Sequence, residues 1–485
     1  MRSNHLFYLS FSALILAGCS LAPDYQRPAT ELPETWQAAP AQGQNIPVDR
    51  WWTLYGDATL DRLVDEALTY NQDLALATAR LDEARALARV ADAQLVPAVD
   101  AAFQRDRTRR SDSTATRFPG PLENNNYRAQ VNVSYELDLW GKLRGSAKAA
   151  QADLLATMAA RETVRITLSA SVVQSYYALI SLDTQVDATR RSLALRQHDF
   201  KLQRVRADAG LINEFALRQL EAEVAAAEAQ LPALESRRTS EELALGVLLG
   251  RNPRALLQEK VSRTAGDAAP AAPVVPPDLP SSLLLRRPDV VTAEQQLIAA
   301  NARIGVARAA LFPSIGLSGY LGSESAALSN LFSGPAGIWQ LGFGLAQPIF
   351  QGGRLFGEIE AVEARQRQAL AQYQKTLQTA FRETHDALVG QVRAREAFDA
   401  ENARVVALTE ALRLARIRFV NGLTSQLDML DAERNLLNAE LNRADALRAQ
   451  RSAVANVVKA LGGGWNGLPG ADAAPAQAQS AVKNP

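Results

Sequence analysis

Along the first half of the chain the apolar positions change period twice. Residues 73–95 place Leu74, Leu76, Ala77, Leu81, Ala84, Leu87, Ala88 and Ala91 at helical spacing, ending before Pro97. Gln130 to Trp140 then reads QVNVSYELDLW, where Val131, Val133, Tyr135, Leu137 and Leu139 alternate with Gln130, Asn132, Ser134, Glu136 and Asp138. Strict alternation over about ten residues has the length of a transmembrane β-strand. Val99, Ala101 and Phe103, alternating with Asp100, Ala102 and Gln104, supply a weaker partner, so a β-hairpin is predicted over 98–140 with a polar connection at about Arg107–Asn126. A Pro-free helix follows over 143–208; at about 1.5 Å per residue it is about 100 Å long. Ala209-Gly210 suits a turn, and a further helix is predicted over 213–249, kinked at Pro232.

The second half repeats this order. The expected elements are a helix at 289–311, a hairpin at 314–350, a long helix at 355–420 and a helix at 425–461. Leu81…Val90…Leu95-Val96-Pro97 matches Leu297…Val306…Leu311-Phe312-Pro313 at an offset of 216, and Arg204-Val205-Arg206…Gly210-Leu211 matches Arg416-Ile417-Arg418…Gly422-Leu423 at 212. The chain is therefore read as an internal two-fold repeat, 73–265 and 281–462, joined by a Pro-rich linker at 266–280. Residues 463–485, rich in Ala, Gln and Pro, are expected to be a disordered tail. In each repeat the first and last helices together match the long helix in length.

Composition narrows the function. The 485 residues hold 52 Lys+Arg against 52 Asp+Glu, so a basic nucleic-acid surface is not expected. One Cys excludes a multi-thiolate zinc site, and three His leave little for catalysis. Gln351-Gly352-Gly353-Arg354 lacks the Lys-Ser/Thr of a phosphate-binding loop. The expectation is a protein that is not an enzyme and needs no cofactor.

The lone Cys has a different reading. Arg2 and the short apolar run Leu6–Ala17 form a secretory signal over 1–18, too short to span a membrane. Leu16-Ala17-Gly18-Cys19 resembles a bacterial lipobox, which implies cleavage before Cys19 and a covalent lipid on it. Ser20 resembles the pattern sorted to the outer membrane. The strands then gain meaning. Four strands cannot close a membrane barrel, and lipid does not tolerate open strand edges; three copies giving twelve strands is one consistent solution. A soluble sandwich with one wet face would show the same alternation.

Several segments together resemble the TolC-like outer-membrane efflux factors, in their OprM-like, NodT-like lipoprotein branch. They are Cys19-Ser20-Leu21-Ala22-Pro23-Asp24-Tyr25; Trp51-Trp52 through Gly56-Asp57 to Asn71-Gln72-Asp73-Leu74; Asp138-Leu139-Trp140-Gly141-Lys142; Leu284-Leu285-Arg286-Arg287-Pro288-Asp289; Pro348-Ile349-Phe350-Gln351-Gly352-Gly353-Arg354; and Ala460-Leu461-Gly462-Gly463-Gly464-Trp465. The resemblance implies a mainly α fold with a membrane β-barrel portion: a homotrimer with a 12-stranded barrel, a long α-helical barrel in the periplasm, and an equatorial region that takes in 19–72. It further implies an exit duct for drugs or other small molecules, partnered by a periplasmic adaptor protein and an inner-membrane efflux pump. Leu427, Asp431 and Arg434 resemble the periplasmic constriction of the family, with Asp428 as a neighbour. Their i,i+4 and i,i+3 spacings let Leu427, Asp431 and Arg434 share one helix face. The same fold serves type I protein secretion, and a structural coiled-coil lipoprotein is the reading without a lumen.

Overall fold

The computed structural model describes residues 21–29, 50–113, 120–264, 273, 281–463, 465, 467 and 468. Cys19, the linker apart from Pro273, and the tail beyond 468 lie outside the described residues. The elements in chain order are α1 (Ala58–Tyr70), α2 (Gln72–Ala93), β1 (Ala98–Arg109), β2 (Glu123–Leu137), α3 (Lys142–Asp208), α4 (Glu214–Leu248), α5 (Pro253–Gln258), α6 (Pro288–Ala309), β3 (Ser314–Ser325), β4 (Gly337–Ala346), α7 (Arg354–Val420) and α8 (Gln426–Ala460). Short 3-10 turns lie at Trp51–Tyr55, Ser281–Arg286, Leu328–Asn330 and Gly334–Ala336.

Two differences from the expected boundaries have physical reasons. The first hairpin's strands run to Arg109 and restart at Glu123, so the two ends of the polar stretch 107–126 are paired strand rather than loop. Backbone ladder bonds do not require apolar side chains, and the alternation signal is lost where both faces turn polar. The strands stop at Leu137 and Ala346, short of 140 and 350, because Gly141 and then Pro348 with Gly352-Gly353 turn the chain into α3 and α7. Helix α4 spans Glu214–Leu248 with Pro232 inside it, close to the predicted 213–249.

The chain divides into two compact units that do not follow the repeats. One comprises the described parts of Met1–Ala29, Leu81–Thr157 and Ala293–Tyr373. It holds a four-stranded antiparallel sheet of order β1-β2-β3-β4, so the central seam joins the two repeats: Leu137 pairs with Ile315 and Tyr127 with Ser325. Asp138 starts α3 by accepting from the Leu143 and Arg144 amides at 3.1 and 2.9 Å. Burial pushes its carboxyl up, but these amides and the Arg144 guanidinium outweigh that and hold it below the usual range. Trp140 stacks on Phe312 with centroids 4.8 Å apart and donates to the Pro313 carbonyl at 2.8 Å. In the same unit the N-terminal segment lies along α6. Ala22 sits against Gly305, Asn301 donates to the Pro23 carbonyl at 2.7 Å, and Arg27 grips the buried Glu294 with two bonds of 2.6 and 2.8 Å.

The other unit comprises the described parts of Thr30–Arg80, Met158–Thr292 and Gln374–Pro485. Its core gathers Trp51, Trp52, Tyr55, Tyr176 and Tyr177 with Leu60, Leu63 and Val64 of α1. Tyr176 donates to Asp57 at 2.6 Å and Tyr55 to the Arg451 carbonyl at 2.6 Å, so each of these phenols has an acceptor although it is buried. Burial, reinforced by the Asp57 carboxylate, pushes the Tyr176 phenol up to about 12.

Within this unit each repeat joins its last helix to its first, end to end. In the first repeat Asn71 caps α2, accepting from the Asp73 and Leu74 amides at 2.9 and 3.0 Å, while its amide donates to Leu248 O at the end of α4, 3.0 Å away. In the second repeat Arg287, at the offset-related position, donates to Ala460 O at the end of α8 at 2.9 Å. It also pairs with Asp289 at 2.7 Å and Glu383 at 2.9 Å. Two short helices are thereby stitched into one longer rod in each repeat, as the length match in the sequence predicts.

Candidate functional site: the two-faced sheet and the charged helix tip

The register of the sheet sorts its side chains into rows. One face carries Leu137–Ile315–Leu345, Tyr135–Leu317–Phe343, Val99–Val133–Gly319–Leu341, Ala101–Val131–Leu321–Trp339 and Phe103–Ala129–Ser323–Gly337. Its large apolar members are open: Trp339 is 75 % exposed, Leu341 84 % and Phe343 66 %. The opposite face carries Asp100–Asn132–Tyr320–Gln340, Ala102–Gln130–Gly322–Ile338 and Gln104–Arg128–Glu324. Polar groups there bond to one another, with Arg128 and Asn126 donating to Glu324 at 2.6 and 2.8 Å and Asn132 to Asp100 at 2.7 Å.

A water-soluble sandwich would bury the apolar face of its sheet. Here it is the apolar face that lies open, and the edges β1 and β4 have no strand partner within the described chain. Such a sheet is suited to lipid on one side and water on the other. Of the aromatic residues that suit a membrane girdle, Tyr127 and Trp339 lie on the apolar face. Tyr320 lies on the polar face, and Trp140 is packed beyond the end of β2.

The helix tip is built by the turn after α7. The Leu423 amide bonds to Arg418 O at 2.8 Å, and Ser425 then caps α8. Asp428 completes that cap: its carboxylate accepts from the Thr424 hydroxyl at 2.7 Å, the Ser425 hydroxyl at 2.7 Å and the Ser425 amide at 3.0 Å. The Thr424 and Ser425 donors hold the Asp428 carboxyl below its usual range. Asp428 thus fixes the start of the helix. Asp431 is paired with Arg434, and its other oxygen accepts from Asn435 at 3.1 Å. Leu427 is 57 % exposed, and both members of the Asp431–Arg434 pair are exposed too.

One further charged residue lies outside the predicted set. Glu433 is buried, and Arg416 of α7 reaches one of its oxygens at 3.1 Å while the other has no partner. Burial pushes its carboxyl up, an effect that the Arg416 guanidinium only partly reverses. A signal for it exists in the sequence: Glu433 falls between Leu430 and Leu437 on the buried stripe of α8, where a carboxylate needs a partner. The first repeat makes a near copy of this tip with other side chains. The Leu211 amide bonds to Arg206 O at 2.9 Å, and Asn213 caps α4 through the Ala216 amide at 2.8 Å. Phe215, Gln219 and Ala222 stand where the second has Leu427, Asp431 and Arg434.

Known proteins share this architecture and its sequence. Outer membrane protein OprJ of Pseudomonas aeruginosa is 35% identical over 456 residues, covering 94% of this chain and 95% of OprJ. A probable outer membrane lipoprotein of Salmonella typhimurium, SilC, is 33% identical over 468 residues, covering 94% of this chain and 98% of SilC. The crystal structure of the CmeC outer membrane channel of Campylobacter jejuni superposes with a TM-score of 0.87 at 26% identity, covering 92% of this chain and 95% of that one. The family model described as outer membrane efflux protein matches residues 63–251 and 279–463, one span in each repeat. With its two-faced sheet and duplicated helices, the chain belongs to the outer membrane efflux protein family.

Proposed function

We propose that three copies of this chain form the outer-membrane exit duct of a tripartite efflux system. The observation that carries this reading is the sheet with an exposed apolar face and two unpaired edges. Pairing β1 of one copy with β4 of the next removes every edge and gives twelve strands. The height supports it. The apolar rows span Ala129 to Leu137 on β2, about 27 Å along the strand. A tilt of about 40° reduces that to about 21 Å, near the apolar band of about 25 Å on bacterial barrels. The polar face then lines a wet lumen through which drugs or other small molecules leave.

The partners are a periplasmic adaptor protein and an inner-membrane efflux pump. They meet the duct at the helix tips, where Leu211, Phe215, Val420 and Leu423 are exposed apolar groups. Three copies of Leu427, Asp431 and Arg434 form the periplasmic gate: the carboxylates make an anion-repelling ring, Arg434 holds them paired, and Asp428 holds the helix start that presents them. The chain is anchored by acyl groups on Cys19, a reading supported by its similarity to a protein named as a lipoprotein.

The test is planar-bilayer conductance of the purified trimer. Wild type is expected to rest at low conductance, and the double variant D431A/R434A to conduct several-fold more. An unchanged closed-state conductance would overturn the gate assignment. Absence of any heat-modifiable trimer or channel would overturn the duct itself. In parallel, C19A should lose palmitate labelling; persistent label on that variant removes Cys19 as the anchor.

A further inference from the structure

At the hairpin end of β1 the face that carries the apolar rows changes character at once. Above Val99, Ala101 and Phe103 the same face continues with Arg105, Arg107 and Arg109, opposite Tyr127, Asn125 and Glu123. All three arginines are exposed. Arg105 lies over the Tyr127 ring, 5.5 Å from its centroid, and Arg107 reaches Glu123 at 2.6 Å. With one carboxylate against three guanidiniums, this face keeps an excess of two positive charges on a chain whose total is zero.

The excess is confined to that face. At the same height the other face sets Arg128 against Glu324 and Asp106, with Asn126 as a further donor, so it carries no positive excess. The second hairpin offers only Ser323, Ser325 and Gly337 on the apolar-row side. A device for solubility would mix signs, and one for selecting solutes would turn its charges to the polar face. Guanidiniums at the upper boundary of an apolar band, spaced about 7 Å apart along the strand, face the layer where lipid headgroups lie.

We propose that Arg105, Arg107 and Arg109 form a phosphate-binding ladder for phosphorylated glycolipid of the outer leaflet, the lipid A portion of lipopolysaccharide. The phosphates sit on the guanidiniums, whose planar forks match phosphate oxygens. The acyl chains lie on the lane of Val99, Ala101 and Phe103 beneath them. A trimer has three such sites, one beside each seam between copies, and the β3–β4 hairpins between them carry none. This inference rests on the reading that the sheet spans the outer membrane.

The experiment uses the full-length trimer in detergent, with bisphosphorylated lipid A, chemically dephosphorylated lipid A and inorganic phosphate as probes. Wild type should retain the bisphosphorylated form at least about tenfold more tightly than the dephosphorylated one, since each arginine near an anionic lipid surface contributes about fivefold. Inorganic phosphate should compete poorly, because it lacks the chains that the apolar lane holds. R105Q/R107Q/R109Q should lose the preference, R105K/R107K/R109K should keep part of it, and R382Q/R393Q on α7 should bind like wild type. Equal retention of both lipid A forms by wild type, or full retention by the triple Gln variant, would overturn the ladder. If inorganic phosphate competes as well as lipid A, the lipid assignment falls. Bilayer conductance separates the two readings: trimers that conduct while lipid A binding ignores these arginines refute only the ladder, whereas trimers that never conduct, wild type and D431A/R434A alike, refute the barrel. Because the wild-type comparison of the two lipid A forms needs no variant, a misfolded mutant leaves the ladder falsifiable.

Discussion

The two helix junctions are products of one duplication and solve one problem with different chemistry. In the first repeat a neutral Asn71 both caps the incoming helix and donates to the outgoing one. In the second a buried Arg287 donates to Ala460 O and leans on two carboxylates. The glycines that follow the outgoing helices differ as well. Gly250 and Gly462 both have positive φ, but a Cβ on Gly250 would stand 2.1 Å from the Tyr70 carbonyl oxygen, whereas one on Gly462 would meet nothing nearer than 3.5 Å. Backbone geometry survived the divergence of the repeats, and the side chains that enforce it were free to change. The first junction is closed by close backbone approach, the second by charge.

That contrast can be broken experimentally. The largest effect is expected from G250A, which combines a left-handed backbone with a collision against main chain and should cost about 3 kcal/mol or more. G462A should cost only about 1–2 kcal/mol from its backbone conformation. Thermal unfolding of the purified protein measures both, and equal losses would erase the distinction. Next, R287A should cost about 2–3 kcal/mol, because it removes one of the two donors to Ala460 O, leaving the Thr384 hydroxyl, and takes the cation from two carboxylates. N71A should cost about 1–2 kcal/mol as a lost cap. Salt sharpens this pair: added salt should narrow the gap between R287A and wild type while leaving N71A unchanged.

The smallest effect is a pH dependence with opposite signs on one helix. The folded state holds a proton on Glu433 more tightly than the unfolded chain does. Its contribution therefore favours folding at acid pH and fades as pH rises from the ordinary value of 4.5 through the raised one. E433Q should flatten that decline. Asp428 behaves in the reverse sense: its folded carboxyl lies below the ordinary 3.8, so stability is lost as pH falls through that range, and D428N should flatten only the acid side. A Tm profile that E433Q leaves unaltered would argue against the burial of that carboxylate.

Much of this molecule is legible in its sequence, for reasons that can be named. Alternation along Gln130–Leu137 is strict because one face meets apolar surroundings and the other water. The long Pro-free runs have few other ways to satisfy their backbone. What stays illegible is partnership over distance. No local pattern says that β2 neighbours β3, or that Asn71 and Arg287 do corresponding work, since their side chains share neither size nor charge. The end of β1 and the start of β2 read as loop because 107–109 and 123–126 are polar on both faces, although the ladder continues there. At the tip, spacing brings Leu427, Asp431 and Arg434 together, but it does not reveal that Asp428 is engaged in the cap or that Glu433 lies buried behind them.

The seam between β2 and β3 also orders events in time. It pairs Tyr127–Leu137 with Ile315–Ser325 across α3, α4, α5, the linker and α6. A chain threaded from its N-terminus into the periplasm therefore presents a lone two-stranded hairpin until the second half arrives, and such hairpins are marginal by themselves. The apolar wall cannot exist as a surface before that long-range pairing is made, and pairing across such separations is slow. The lipid-seeking face is therefore complete only once the chain has been delivered as far as Ala346, well into its second half.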